Sequence, residues 1–198
     1  MKRSYWLVLA ALSLTATAIQ AQTCPTPVSG AIYTYVGSFN ADHVVTECPV
    51  QGKPAEREEY HWTICVWRTG AGAIELSIAP ASFSVDDDCG SIDNTSAAAI
   101  FDLLGVESVR RAVALGHLTA PSNCSSPAAT TVTYATCVTR SGSGGSTAFA
   151  ASGSALGRHG YSFCQSGSSI AVTATGTSGQ ATCGSGSEST CDGGSNLQ

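Results

Sequence analysis

Lysine is almost missing from this 198-residue chain: Lys2 and Lys53 are its only two, and charged residues make up 12% of the whole. Phosphate backbones are held by clusters of Lys and Arg, so a chain of formal net charge −5 with so few basic groups is a poor match to nucleic acid. No segment reaches the roughly 18 consecutive apolar residues that a membrane-spanning helix needs. No two of the nine cysteines stand as C-x-x-C, which removes a local zinc knuckle or thioredoxin-like redox pair. H-E-x-x-H, G-x-S-x-G, S-x-x-K and a phosphate loop ending in Gly-Lys are also absent; "GSGGST" from Gly142 shares only the composition of such a loop.

What is present begins with the pattern of an export signal. Lys2 and Arg3 give a positive start, Trp6 to Leu14 form a short apolar core, and small residues lead to an expected cleavage after Ala21. Cys24 makes a poor lipid anchor, because Thr23 stands directly before it instead of Gly or Ala. The expected plan is a signal peptide at 1–21, one disulfide-rich β-dominated domain at 22–183 and a flexible Gly/Ser-rich tail at 184–198. The expected location is secreted or periplasmic.

An oxidising compartment turns the cysteines into a disulfide framework. Pairing of sequence neighbours is expected: Cys24 with Cys48, Cys65 with Cys89, Cys124 with Cys137, and Cys164 with Cys183. An echo in the first half favours this. Cys24, Gly30-Ala31-Ile32 and Cys48 are followed by Cys65, Gly72-Ala73-Ile74 and Cys89, which reads as a repeated disulfide-closed hairpin. Cys191 is the ninth cysteine and the candidate to stand outside the framework, where it could link two chains into a covalent dimer.

The fold class expected from periodicity is mainly β, an antiparallel sheet of sandwich- or barrel-like form, with a short helical pair inserted at about 95–116. "YHWTICVW" alternates, with Tyr60, Trp62, Ile64 and Val66 on one face and His61, Thr63, Cys65 and Trp67 on the other. Bulk on both faces predicts a central strand. "DNTSAAAIFDLLG" and "VESVRRAVALG" read as two helices, capped at Asn94 or Ser96 and stopped at Gly105 and Gly116.

Twelve acidic residues lie between Gln22 and Glu107 against Lys53, Arg57 and Arg68, so the first half is strongly negative. Within it, "SFSVDDDCGSIDN" offers Asp86, Asp88 and Asp93 as oxygen ligands for calcium. The EF-hand frame fails, because Gly90 and Ser91 fall where a ligand and the turn glycine belong. A structural corner is the competing reading of that stretch. His61, beside Glu56, Glu58 and Glu59, is the one place where a general base could meet a carboxylate. Tyr33, Tyr35, Trp62 and Trp67 are the aromatic side chains suited to contact a protein or glycan partner if exposed. The leading functional expectation is an exported non-catalytic binding or interaction protein. The alternatives are a structural subunit assembling through strand edges or an intermolecular disulfide, and a small exported hydrolase built on the His61/Glu/Asp region.

Overall fold

Strand β1 (Tyr33–Cys48) and strand β2 (Glu56–Thr69) form a long antiparallel ladder. They belong to a computed structural model that describes residues 24–28, 31–48, 56–79, 83–87, 96–142, 146–178 and 182–191. The signal-peptide region 1–21 and the residues after Cys191 lie outside the described residues. β3 (Ile74–Ile78), β4 (Phe83–Asp87), helix α1 (Ala97–Ala114), β5 (Ala128–Ala135), β6 (Cys137–Gly142), β7 (Ser146–Ala151), β8 (Leu156–Ser166), β9 (Ser169–Ser178) and β10 (Glu188–Ser189) follow in order.

The described strands form a single sheet that divides at β2. β3 pairs with β2 from Ile64 to Arg68, and β4 pairs along the same edge from Glu58 to His61. Between Ile78, opposite Ile64, and Ser84, opposite His61, one side of the ladder carries three more residues than the other. That excess separates β3 from β4. One branch continues through β5, β8 and β9, and the other through β7, β6 and β10. Thr136 alone separates β5 from β6, so the chain crosses from one branch to the other within a residue. All pairings are antiparallel except β3 with β5. The mainly β, disulfide-stabilised class read from periodicity is therefore observed, in the form of a mixed, forked sheet.

β2 is the central strand its pattern predicts, and its two faces meet different environments. Tyr60, Trp62, Ile64 and Val66 enter the large core beneath α1, while Cys65 and Trp67 join Cys24 and Ala79 in a smaller cluster on the opposite face. A β-bulge between Tyr35 and Gly37 lets β1 serve both. Before it, Tyr33 and Tyr35 pack beside Trp67; after it, Phe39 and Ala41 belong to the side under the helix. Phe83, Phe101, Phe149 and Tyr134 fill the space where the branches part, with ring centroids 4.9–6.3 Å apart along that cluster.

One helix stands where the sequence suggests two. Its N-cap is Ser96, whose hydroxyl accepts from Ala99 N–H, and its buried side includes Ile100, Phe101, Leu104, Ser108, Val109 and Ala112 at helical spacing. It ends in a Schellman turn: Gly116, at φ 77°, donates to Val113 and His117 donates to Ala112. Gly105 does not stop it. A Cβ there would lie 1.9 Å from the Tyr161 hydroxyl, so this glycine serves close approach of helix to sheet.

The disulfide framework is corrected throughout. Among the described residues the bonds are Cys24–Cys65, Cys124–Cys164 and Cys137–Cys183, and none joins the expected neighbours. Extended chain explains the error: β5 alone, eight residues long, spans about 26 Å and keeps Cys124 from Cys137. β9 likewise runs back along β8, carrying the chain away from Cys164 before it reaches Cys183. In the internal echo, the first cysteines of the two copies bond each other. The side chain of Cys48, and Cys89 as a whole, lie outside the described residues.

Within the expected tail, residues 184–191 are described and lie against the sheet. β10 pairs with β6, Glu188 holds Arg140 through two 2.8 Å hydrogen bonds, and Thr190 donates to Ala135 O at 2.7 Å. Cys191, at the end of this segment, is 2% exposed and keeps its thiol. A bond from Cys191 to a second chain would require the segment to leave its place, so the covalent dimer expected there is set aside. Three polar anchors hold this segment in place of apolar bulk.

Candidate functional site

Three groups of titratable or aromatic side chains stand out. The first is the face of β1 and β2 away from α1. The ladder places Asp42 opposite His61, and Asp42 Oδ1 lies 2.9 Å from His61 Nδ1. Glu59 Oε1 stands 3.9 Å from the other ring nitrogen, and Thr63 donates to Asn40 one pair further along. Cross-strand register alone builds this row, because residues two apart share a face. The sequence foresaw His61 and Glu59 together but not Asp42, which lies 19 residues earlier.

The second group is aromatic. Trp67 donates to Ser77 Oγ at 2.8 Å, with Tyr35 and Tyr33 rings at 5.2 and 6.4 Å. Tyr33 donates to Glu75, which also accepts from Arg158 at 3.0 Å. Burial, then the hydrogen bond and charge of Glu75, raise the Tyr33 phenol above its ordinary pKa. Of the four aromatics expected to meet a partner, Tyr33 and Tyr35 are half-buried at the surface. Trp62 and Trp67 are core residues, Trp62 donating to Ser108 of α1 at 2.9 Å. Their indoles serve packing because β2 is covered on both faces.

Of the calcium candidates, Asp86 occupies β4 opposite Glu59 with its side chain outside the described residues, as are Asp88 and Asp93. Among the described residues no three His, Cys, Asp or Glu side chains gather as metal ligands.

The third group escaped the sequence. Beneath α1, His159 of β8 is 2% exposed. Its Nε2 lies 3.8 Å from Cys191 Sγ and its Nδ1 3.7 Å from Asp102 Oδ1 on the helix. The Tyr134 ring stacks on the imidazole at a centroid distance of 4.0 Å. The hydroxyls of Tyr134 and Tyr161 neighbour each other without a hydrogen bond of full geometry, as does His159 Nδ1 with Asp102. Burial is the main cause that raises both phenols far above their ordinary pKa. The available signal was alternation in "GRHGYSFC", which puts His159 on the same face as Tyr161 and Phe163; nothing local pointed to Asp102 or Cys191.

Exposure of apolar side chains is concentrated elsewhere. Ile32 at 81%, Val36 at 44% and Val44 at 40% are three of the four large hydrophobic side chains exposed within the described residues, and all lie on β1 or at its start. Among the described residues, β2 is the only strand that pairs with β1. Comparison with family models, curated proteins and solved structures finds no match to this chain.

Proposed function

We propose that this is an exported, non-catalytic interaction protein that receives an extended, basic segment of a partner protein along β1. The observation that carries the reading is the exposure of Val36 and Val44 on a 16-residue strand, and of Ile32 just before it, with one strand neighbour among the described residues. A strand edge binds an extended peptide through main-chain hydrogen bonds, while alternate side chains supply selectivity. Charge points to a basic segment: Asp42 and Glu47 on β1 and Glu56, Glu58 and Glu59 on β2 belong to the strongly acidic first half. Export is supported by the signal-like start and by three disulfides, which persist outside reducing compartments.

The test is selection of random peptides displayed on phage against the immobilised protein. Enriched sequences should alternate apolar with Lys or Arg, and Val36→Asp or Val44→Asp should weaken their binding about tenfold or more with melting unchanged. Enrichment of no sequence class, or binding indifferent to both substitutions, overturns the reading. Sedimentation distinguishes the structural-subunit alternative, in which a second copy occupies β1: concentration-dependent self-association abolished by the same substitutions would replace the proposal.

A further inference from the structure

The Asp102–His159–Cys191 row lies beneath the helix and is independent of the binding edge. We propose that it is a masked thiol site, at which Cys191 is oxidised by a small peroxide with His159 as proton carrier and Asp102 as its positioning residue. Order and spacing carry the inference. A carboxylate, an imidazole and a thiol follow one another at 3.7 and 3.8 Å, the arrangement by which a base oriented by a third group activates a nucleophile. His159 Nδ1 is buried without a hydrogen-bond partner, so a proton there has Asp102 as the carboxylate facing it. Cys191 Sγ also lies 3.8 Å from Thr190 Oγ1.

The surrounding backbone makes room for this row. A Cβ on Gly157 would stand 2.9 Å from Cys191 Sγ, so the sulfur occupies space that any side chain there would take. Gly105 does the same for the Tyr161 hydroxyl. Tyr134, stacked on the imidazole, holds its plane.

Burial sets the class of reactant. At 2% exposure for both Cys191 and His159, a bulky electrophile or a second protein has no approach, whereas hydrogen peroxide is close to water in size. In the reaction, Sγ attacks one peroxide oxygen as its proton passes to His159 Nε2. The S–O bond forms, the O–O bond breaks, and the departing hydroxide takes the proton from Nε2 to become water. The thiol is oxidised to a sulfenic acid and the peroxide is reduced.

The test exposes the protein to hydrogen peroxide for timed intervals, removes the peroxide with catalase, and only then unfolds every sample in urea with a cyclic 1,3-diketone that traps the sulfenic acid, mapping the adduct by peptide mass. Cys191 should be labelled faster in the native protein than in the same protein unfolded in urea with its disulfides intact. His159→Gln should slow labelling roughly tenfold or more and Asp102→Asn roughly threefold or more, within the range of general acid–base effects. Asp102 is 54% exposed, so its substitution decides the matter even if His159→Gln fails to fold. Native labelling no faster than in urea, or equal rates in the wild type and Asp102→Asn, overturns the proposal.

Discussion

The two faces of the sheet carry the same pair of side chains in opposite settings. On the open face, His61 and Asp42 meet at 2.9 Å with both side chains at the surface; beneath the helix, His159 and Asp102 stand 3.7 Å apart with the imidazole enclosed. Of the two pairs, the outer one makes the hydrogen bond. Water competes for the outer pair and screens it, while the inner imidazole has only its neighbours. The same contrast applies to the supports of each face. One has a helix and a continuous apolar core, and the other has Trp67, two tyrosines and the Cys24–Cys65 bond.

The largest effect should come from the thinly covered face. Replacing Cys24 and Cys65 together by Ser removes a cross-link over 41 residues, which the chain-entropy model values at about 4 kcal/mol. Chemical denaturation should show that loss, and an unchanged midpoint would mean that the small cluster holds without its bond. On the covered face, Gly105→Ala should cost about 1–3 kcal/mol by overpacking against Tyr161. Adding Tyr161→Phe should recover only part, because the ring carbon Cζ still stands 2.5 Å from the new methyl.

Alkaline titration sharpens the contrast further. Tyr134 and Tyr161 have phenols raised by burial, so the folded state keeps their protons at a pH where the unfolded chain, with pKa about 10, releases them. Their contribution is whole below pH 10 and is lost as pH rises through the folded values. Stability measured by denaturant should therefore fall above about pH 10, and Tyr134→Phe should flatten that fall. Glu188→Gln removes a charge that holds Arg140 in a two-point bond and accepts from Ala97 N–H at the helix start; melting should report a loss of about 1 kcal/mol. Asp42→Ala, at the outer pair, should change stability by less than about 0.5 kcal/mol. A loss as large as that from Gly105→Ala would erase the distinction between the faces.

How much of this could be read beforehand follows from the range of the interactions. The two faces of β2 were legible, because alternation is a property of neighbouring residues and both sets are bulky. Ser96 and Gly116 were legible as helix ends for the same reason. Gly105 was misread: its role depends on Tyr161, 56 residues away, and a glycine that ends a helix looks the same in sequence as one that lets a helix approach a sheet. The disulfides failed similarly, since nearness along the chain says little once a strand lies between two cysteines. His61 was visible with Glu59 and lacked only its cross-strand carboxylate. The buried row was hidden because its members come from a helix, a strand and the last described segment.

The Cys124–Cys164 and Cys137–Cys183 bonds overlap along the chain. A single backbone cut anywhere between residues 124 and 183 therefore falls inside at least one covalent loop, and both pieces stay attached. Cys24–Cys65 protects its own span in the same way. The stretch from Cys65 to Cys124, which includes the whole helix, lies inside none of these three loops. In surroundings rich in proteases, one nick inside any of these three loops would therefore leave the molecule's mass intact until the sulfur links were reduced.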